Sequence, residues 1–212
     1  VSTATNSIIS FSNKTGGKQF STLMLNVLPD VNLFVGGSQN LPKYLYHSFT
    51  EDSFFDIDEK YSAIRPEIIN KISNLNEDDS IYYIYGVFHS LDYREKYYAD
   101  LSKSFPKIPN LKYKDKYVEI GRKLSDIHLN YENQPIWAGV EVQIYKPNYR
   151  VKKMKHPKNG DISTIIYNDS IIIKNIPKRA YKYTVNGKSA IEWIIDQYKV
   201  NTDNEAGITD DP

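Results

Sequence analysis

An α+β fold, with a helical middle flanked by two strand-rich parts, is the class this sequence predicts. Short β-branched and aromatic runs broken by Gly and Pro fill the first 65 residues. Apolar residues at helical spacing, opened by acidic clusters, occupy the stretch from Pro66 to Tyr131. β-rich runs return after residue 138 and end on one last helical pattern. At 212 residues the chain can bury a real core, as one large domain or two small ones. It is expected to form one domain with four sub-parts: 1–80 strand-rich, 81–132 helical, 133–199 β-hairpins plus a helix, and 200–212 an acidic tail.

"SIISFSN" (7–13) reads as the first strand, followed by the turn "KTGGK". "QFSTLMLNVL" (19–28) fits a short helix or a strand, and its periodicity does not choose. "NLFVG" and "KYLYHSF" read as strands separated by Gly36, Gly37 and Pro42, and "TEDSFFDIDEKYSAI" as an acidic connection. Pro66 suits a first helical turn, with Ile68, Ile72 and Leu75 behind it at helical spacing. Glu77, Asp78 and Asp79 put negative charge at the start of "SIYYIYGVFHS", where it complements the helix dipole. That helix is apolar on nearly every side and is expected to be buried. Asp92 and Glu95 form a D-x-x-E pair that restarts the chain as a second helix, and Pro106 and Pro109 stop it.

Tyr113, Tyr117, Ile120, Leu124, Ile127 and Tyr131 alternate at four and three, an amphipathic helix of about five turns. Gly121 inside it costs about 1 kcal/mol against Ala, which suggests close approach by a neighbouring backbone. "VEVQIY" alternates as a half-buried strand. "DISTIIYNDSIIIKN" reads as two strands joined at Asn168-Asp169, residues that tolerate the positive φ of a tight hairpin. Ser189-x-x-Glu192 is a capping box opening a helix that carries Ile191, Ile194, Ile195 and Tyr198.

The formal net charge of +1 hides a segregation. Residues 49–80 carry 3 basic and 9 acidic side chains, a net −6, whereas residues 81–158 carry 15 and 8, a net +7. A basic middle lets a nearly neutral chain bind a polyanion locally, and solvated surface accounts for such an imbalance too. Cysteine is absent, which excludes disulfides and thiolate metal sites and fits a reducing cytosol. No opening basic-then-apolar run suggests a signal peptide, and no apolar stretch approaches membrane-spanning length. A Val start and the acidic end "NTDNEAGITDDP" suggest a frayed terminus and a piece of a longer polypeptide.

Catalytic patterns are weak. "NKTGGKQ" lacks both the leading Gly and the Gly-Lys-Ser/Thr of a Walker A loop, and a Gly-rich hairpin turn explains it. His47, His89, His128 and His156 are dispersed, with no H-E-x-x-H pair. Asp56, Asp58 and Glu59 are oxygen ligands of the type Mg²⁺ takes, but no matching lysine or third acid accompanies them. There is no G-x-S-x-G elbow and no N-P-P-Y tetrapeptide.

The strongest electrostatic feature is "KPNYRVKKMKHPK" (146–158), where Lys146, Arg150, Lys152, Lys153, Lys155 and Lys158 occur with no acid between them. Tyr145 and Tyr149 interleave with these cations, as at a nucleic-acid surface where phosphates are neutralised. A solvated loop is the plainer account. Towards the amino end, Lys14, Lys18, Gln19, Ser38, Gln39, Asn40 and Lys43 supply side chains able to reach phosphates or base edges.

"YGVFHSLDYREKYYADLSKSFPKIP", then "GRKLSDIHLNYE", then "IPKRAYKYTVNGKSAIEWIIDQYKV" with "TD…AGI" together resemble the carboxy-terminal target-recognition, or specificity, region of Type ISP restriction-modification enzymes. The resemblance covers most of residues 20–209. In that family of large bacterial proteins, with DEAD/DEAH-box-like helicase parts, a nuclease, a translocase, a coupler and an N6-adenine methyltransferase precede the recognition region. The resemblance implies double-stranded DNA as ligand, other domains of the same chain as partners, no membrane, and a cytoplasmic location. It implies no catalytic residue, metal or cofactor in this segment; ATP, Mg and S-adenosylmethionine would act in the rest of the parent. The "YGVFHS…PKIP" series then looks like a scaffold that holds recognition loops rigid.

On that reading Lys14, Lys18, Gln19, Gln39, Asn40 and Lys43 contact base edges or nearby phosphates, while Arg150, Lys152, Lys153 and Lys155 grip the backbone, the two groups converging on one duplex. The alternatives are a structural module that docks on the methyltransferase or coupler through the Tyr/Ile/Leu stripe, and an independent nuclease using Asp56 and Asp58.

Overall fold

The computed structural model describes residues 6–12, 19–34, 36–47, 59–72 and 75–212. The chain divides into two compact units, Val1–Gln134 and Pro135–Pro212. Helices and several small sheets mix in the α+β manner expected.

In the first unit β1 (Ile8–Ser12) is the centre of a three-stranded antiparallel sheet, between β2 (Thr22–Leu25) and β3 (Ser38–Pro42). The 19–28 stretch therefore resolves as strand. The described residues of "NLFVG" do not form one: the strand lies at "SQNLP", which reads from sequence only as a polar cluster. Residues 31–34 are turn, held by Asp30 Oδ1 accepting Asn32 N–H and by Ser38 Oγ accepting Phe34 N–H at 3.0 Å. A side-chain acceptor two or four residues away substitutes for a ladder, and Phe34 is buried without being in a strand. A second pair joins β4 (Tyr44–His47) to β5 (Glu59–Ser62), so the end of the expected acidic connection is also strand.

α1 (Pro66–Ile72) buries Ile69 and Ile72, whereas Ile68 is exposed. α2 (Glu77–His89) starts at Asn76, whose side chain accepts Asp79 N–H at 2.7 Å. It runs through the middle of the core, with Ile81, Tyr83, Ile84, Tyr85, Val87 and Phe88 all buried. Phe88 meets Phe11 of β1 and Phe20 edge-on at 5.6 and 5.4 Å, fastening the sheet to the helix.

α3 (Leu91–Lys96) is capped by Ser90, whose Oγ accepts Tyr93 N–H, and not by the Asp92/Glu95 pair. Ser90 has the extended backbone a cap needs, while Asp92 already lies inside the helix. α4 (Tyr98–Leu101) continues it for one turn. The Pro-Lys-Ile-Pro segment that follows is pinned by two buried phenols. Tyr83 donates to Pro109 O at 2.6 Å and accepts Leu111 N–H at 3.1 Å, and Tyr93 donates to Lys107 O at 2.9 Å. Burial pushes both phenols up, Tyr93 to about 12, so both stay protonated donors.

α5 (Lys114–Leu129) packs along α2 through Val118, Gly121 and Ser125. A Cβ added at Gly121 would lie 1.9 Å from the Tyr82 carbonyl oxygen, and one at Gly86 would lie 2.2 Å from that of Tyr117. The two glycines thus let the helix backbones touch, as Gly121 led us to expect. The buried face is not the Tyr113–Tyr131 stripe, however: Tyr113, Ile120, Ile127 and Tyr131 are exposed.

In the second unit β6 (Glu141–Ile144), β8 (Ile171–Lys174) and β7 (Ile165–Ile166) form an antiparallel sheet with β8 central. β6 is an edge strand and is more exposed than its alternation suggests. The turn between β7 and β8 is built by Asn168 Oδ1 accepting Ser170 N–H at 2.8 Å, without a positive φ at Asn168 or Asp169. The positive-φ hairpin turn is at Asn186-Gly187, joining β9 (Thr184–Val185) to β10 (Lys188–Ser189).

The Ser189/Glu192 capping box opens α6 (Ala190–Gln197) as expected. Ile191 and Ile195 pack on a small core of Val151, Met154, Ile165 and Ile176, and Ile194 is exposed. The tail is not frayed: β11 (Asn201–Asp203) and β12 (Ile208–Asp210) form a hairpin. No helix among the described residues is long and apolar enough to cross a membrane.

Candidate nucleic-acid interface

The basic run of the second unit is anchored from below. Val151 and Met154 are buried in the small core, and this three-residue spacing leaves Arg150, Lys152, Lys153 and Lys155 facing solvent. The backbone is clipped on several sides. Lys155 and Ile166 exchange backbone hydrogen bonds at 3.1 and 2.8 Å, and Val200 N–H donates to Val151 O at 2.7 Å. The Asn168 amide donates to Asn148 O at 2.7 Å and Arg150 O at 3.2 Å, and Tyr167 OH donates to Tyr149 O at 2.9 Å. The loop is therefore a preformed shelf on the β7–β8 hairpin.

All four expected cations line one concavity of about 270 Å³, together with Asn148, Asn168 and Asp169. Among the described residues Asp169 is the one carboxylate lining it. Arg150 also reaches Asp211 at 3.2 Å, an exposed pair that a phosphate could exchange with. Sequence reasoning missed Asn148 and Asn168 as parts of this site. Their signal is the Asx-turn composition of "PNYR" and "YNDS", which by itself speaks only of turn chemistry.

In the first unit Gln19 and Gln39 belong to one end of the β2-β1-β3 sheet. Gln39 pairs with Phe11 and Ser38 with Ser12, and Ser21 bonds Ser12, so Gln39 and Ser21 share that end of the sheet. Gln19 lines a cleft of about 510 Å³ with Phe20, Leu91, Arg94 and Tyr98. Asn40 is exposed on the opposite sheet face, beside Ser10. Lys14 and Lys18 lie outside the described residues, as do Asp56 and Asp58.

Lys43 stands apart from this group. Its backbone N–H bonds Ser7 O at the other end of β1, and its ammonium meets Asp78 at 2.8 Å. It also lies 5.0 and 5.7 Å from the centres of the Tyr44 and Tyr82 rings. Burial works against the charge, but the hydrogen bonds that the ammonium makes to Asp78 and Tyr44 outweigh it and hold the group above its ordinary value. Asp78 is correspondingly lowered by Lys43 and Tyr44. Among the described residues no group of three His, Cys, Asp or Glu side chains could hold a metal ion.

Residues 2–212 match the Type ISP C-terminal specificity domain. The chain belongs to this family. Solved structures agree with the assignment. The specificity domain is 66% identical, with a TM-score of 0.91, to part of "ATP-dependent Type ISP restriction-modification enzyme LlaBIII bound to DNA", covering 100% of this chain and 14% of that one. A nuclease-deletion mutant of the Type ISP enzyme LlaGI, in complex with a DNA substrate mimic, is 53% identical with a TM-score of 0.84, covering 99% of this chain and 18% of that one. The DrdV protein of a DrdV–DNA complex shares the fold at 22% identity and a TM-score of 0.78, covering 97% of this chain and 21% of that one. No curated protein sequence matches the chain. The specificity domain thus spans about a fifth or less of the length of these relatives.

Proposed function

We propose that this domain recognises a specific sequence in double-stranded DNA on behalf of a Type ISP restriction-modification enzyme. The observation that carries the reading is the convergence of Arg150, Lys152, Lys153 and Lys155 on one concavity that Asp169 lines as the one carboxylate among the described residues, with Arg150 also paired to Asp211. A charge excess of that kind neutralises phosphates and positions the domain, whatever the sequence beneath it. The base-reading side chains are Gln19, Gln39 and Asn40, joined by Lys14 and Lys18. Gln and Asn amides suit adenine edges and Lys suits guanine edges or nearby phosphates. The relatives LlaBIII and LlaGI, both solved on DNA or a DNA mimic, support the same ligand.

The domain itself carries no catalysis in this reading. The parent chain supplies a nuclease, an ATP- and Mg-dependent translocase and an S-adenosylmethionine-dependent adenine methyltransferase, and it acts in the cytoplasm. Fluorescence anisotropy on a labelled target duplex tests the DNA reading. Lys152→Glu/Lys153→Glu in the complete polypeptide is expected to weaken binding by about tenfold or more, because two cations that neutralise phosphates become anions that repel them. Unchanged affinity would sink it.

A further inference from the structure

The apolar arc of α5 is wider than the contact it makes. One side, Val118, Gly121 and Ser125, is buried against α2. The other, Tyr113, Ile120, Ile127 and Tyr131, is 61%, 50%, 45% and 68% exposed. Half-buried Tyr117 and Leu124, which pack on the core of the first unit, join Ile120 and Ile127 in a four-three alternation along α5, a spacing that suits a second helix, with Tyr113 and Tyr131 just beyond the ends of α5. α2 cannot be that second helix, because it already occupies the glycine face.

Beside the stripe runs a groove of about 400 Å³ lined by Gly86, His89, Ser90, Tyr117, Ile120 and Leu124. His89 lines it with its Nδ1–H donating to Tyr85 O at 3.1 Å and its Nε2 buried away from solvent. The amino-terminal end of the stripe is basic. Lys112 and Lys116 are exposed and flank the Tyr113 ring at 5.7 and 5.3 Å, while Lys123 is taken by Glu119 at 2.7 Å.

We propose that the exposed Ile120/Ile127 face of α5, with Tyr113 and Tyr131 just beyond its two ends, docks an amphipathic helix from another part of the same polypeptide, a helix with an acidic flank opposite Lys112 and Lys116. The occupant is intramolecular because relatives 66% and 53% identical devote only 14% and 18% of their chains to this domain. Most of each polypeptide thus lies outside it, tethered at high effective concentration. An acidic flank matches the two free lysines, and an apolar stripe of this length in contact with water is otherwise unfavourable. The inference rests on family membership and not on the DNA reading.

The absence of cysteine from this chain permits a direct test. Ile120→Cys, Ile127→Cys and, as a control on the polar face, Lys123→Cys are labelled with a maleimide in the isolated chain and in the complete polypeptide, without DNA. Modification of each site is quantified by peptide mass spectrometry. All three should react at similar rates in the isolated chain, whereas in the complete polypeptide the first two should slow by about tenfold or more and the control should not, as protection by packing requires. Equal rates in both contexts overturn the proposal. So does slowing in the isolated chain that grows with its concentration, which points to a second copy, or slowing that appears only on adding duplex DNA. Because no DNA is present in the primary measurement, failure here leaves the DNA reading standing.

Discussion

The phenol of Tyr85 joins three elements by accepting Met24 N–H of β2 at 2.9 Å and bonding Nδ1 of His128 on α5. Met24 N–H and His128 Nδ1 thus meet at one phenol oxygen. His89 sits one turn along α2, with its ring 5.5 Å from that of His128. Burial holds both imidazoles below their ordinary value; for His89 burial and then Arg94 bring it down to about 3.

Acid should therefore weaken the first unit. The unfolded chain takes up protons near the ordinary value of 6.5, while the folded His89 resists them until about 3. Stability is complete above the ordinary value and is lost as pH falls through the window between the two, by about 2 kcal/mol at pH 5 from His89 alone. His89→Asn, whose amide can keep the bond to Tyr85 O, should flatten the change. Urea midpoints at pH 7 and pH 5 for both proteins check this, and an equal drop in the variant contradicts it.

Removing one oxygen at Tyr83 should loosen the Pro-Lys-Ile-Pro exit. Tyr83→Phe strands Leu111 N–H and Pro109 O, and is expected to cost about 1–3 kcal/mol, the range for orphaned buried groups. Hydrogen exchange should show faster exchange at Leu111 with little change in the second unit. Unaltered exchange there would mean that the phenol does not hold the segment.

Gly121→Ala tests the helix crossing. Intrinsic propensity favours Ala by about 1 kcal/mol. The clash with the Tyr82 carbonyl should reverse the sign, giving a net loss of about 1–3 kcal/mol by thermal or urea unfolding. A stabilised variant would show that the helices are not in backbone contact.

Lys43 is predicted to be structural. Lys43→Met should lower stability by about 0.5–1 kcal/mol, as expected for a partly exposed ion pair with ring contacts. It should leave DNA affinity within about twofold, since a phosphate contact would be worth more. Anisotropy and urea unfolding on one preparation separate the two roles.

Much of the fold was legible because local and tertiary preferences agree there. The Ser189/Glu192 box, the acid-opened buried helix and the glycine inside α5 each have one dominant cause, and each appears where its residues indicate. α5 misled because two apolar faces share it: the regular stripe reads as core, yet the buried side is built on small residues, Gly121 and Ser125, that carry little hydropathy. Ser38–Pro42 escaped notice because β3 is a polar edge strand defined by its pairing with β1, a long-range fact. The basic loop was visible as a charge run, but its concavity depends on Asn168 reaching back some twenty residues, which spacing cannot reveal.

The salt dependence of DNA binding tests the central claim most directly. Each lysine that neutralises a phosphate should contribute about 0.9 to the slope of log affinity against log salt. Lys152→Ala/Lys153→Ala/Lys155→Ala should therefore flatten the slope by nearly 3 relative to the unmodified protein, whereas Lys103→Ala/Lys107→Ala, on exposed lysines of the first unit, should leave it unchanged. Equal slopes for all three proteins would contradict the assignment of the concavity to the DNA backbone.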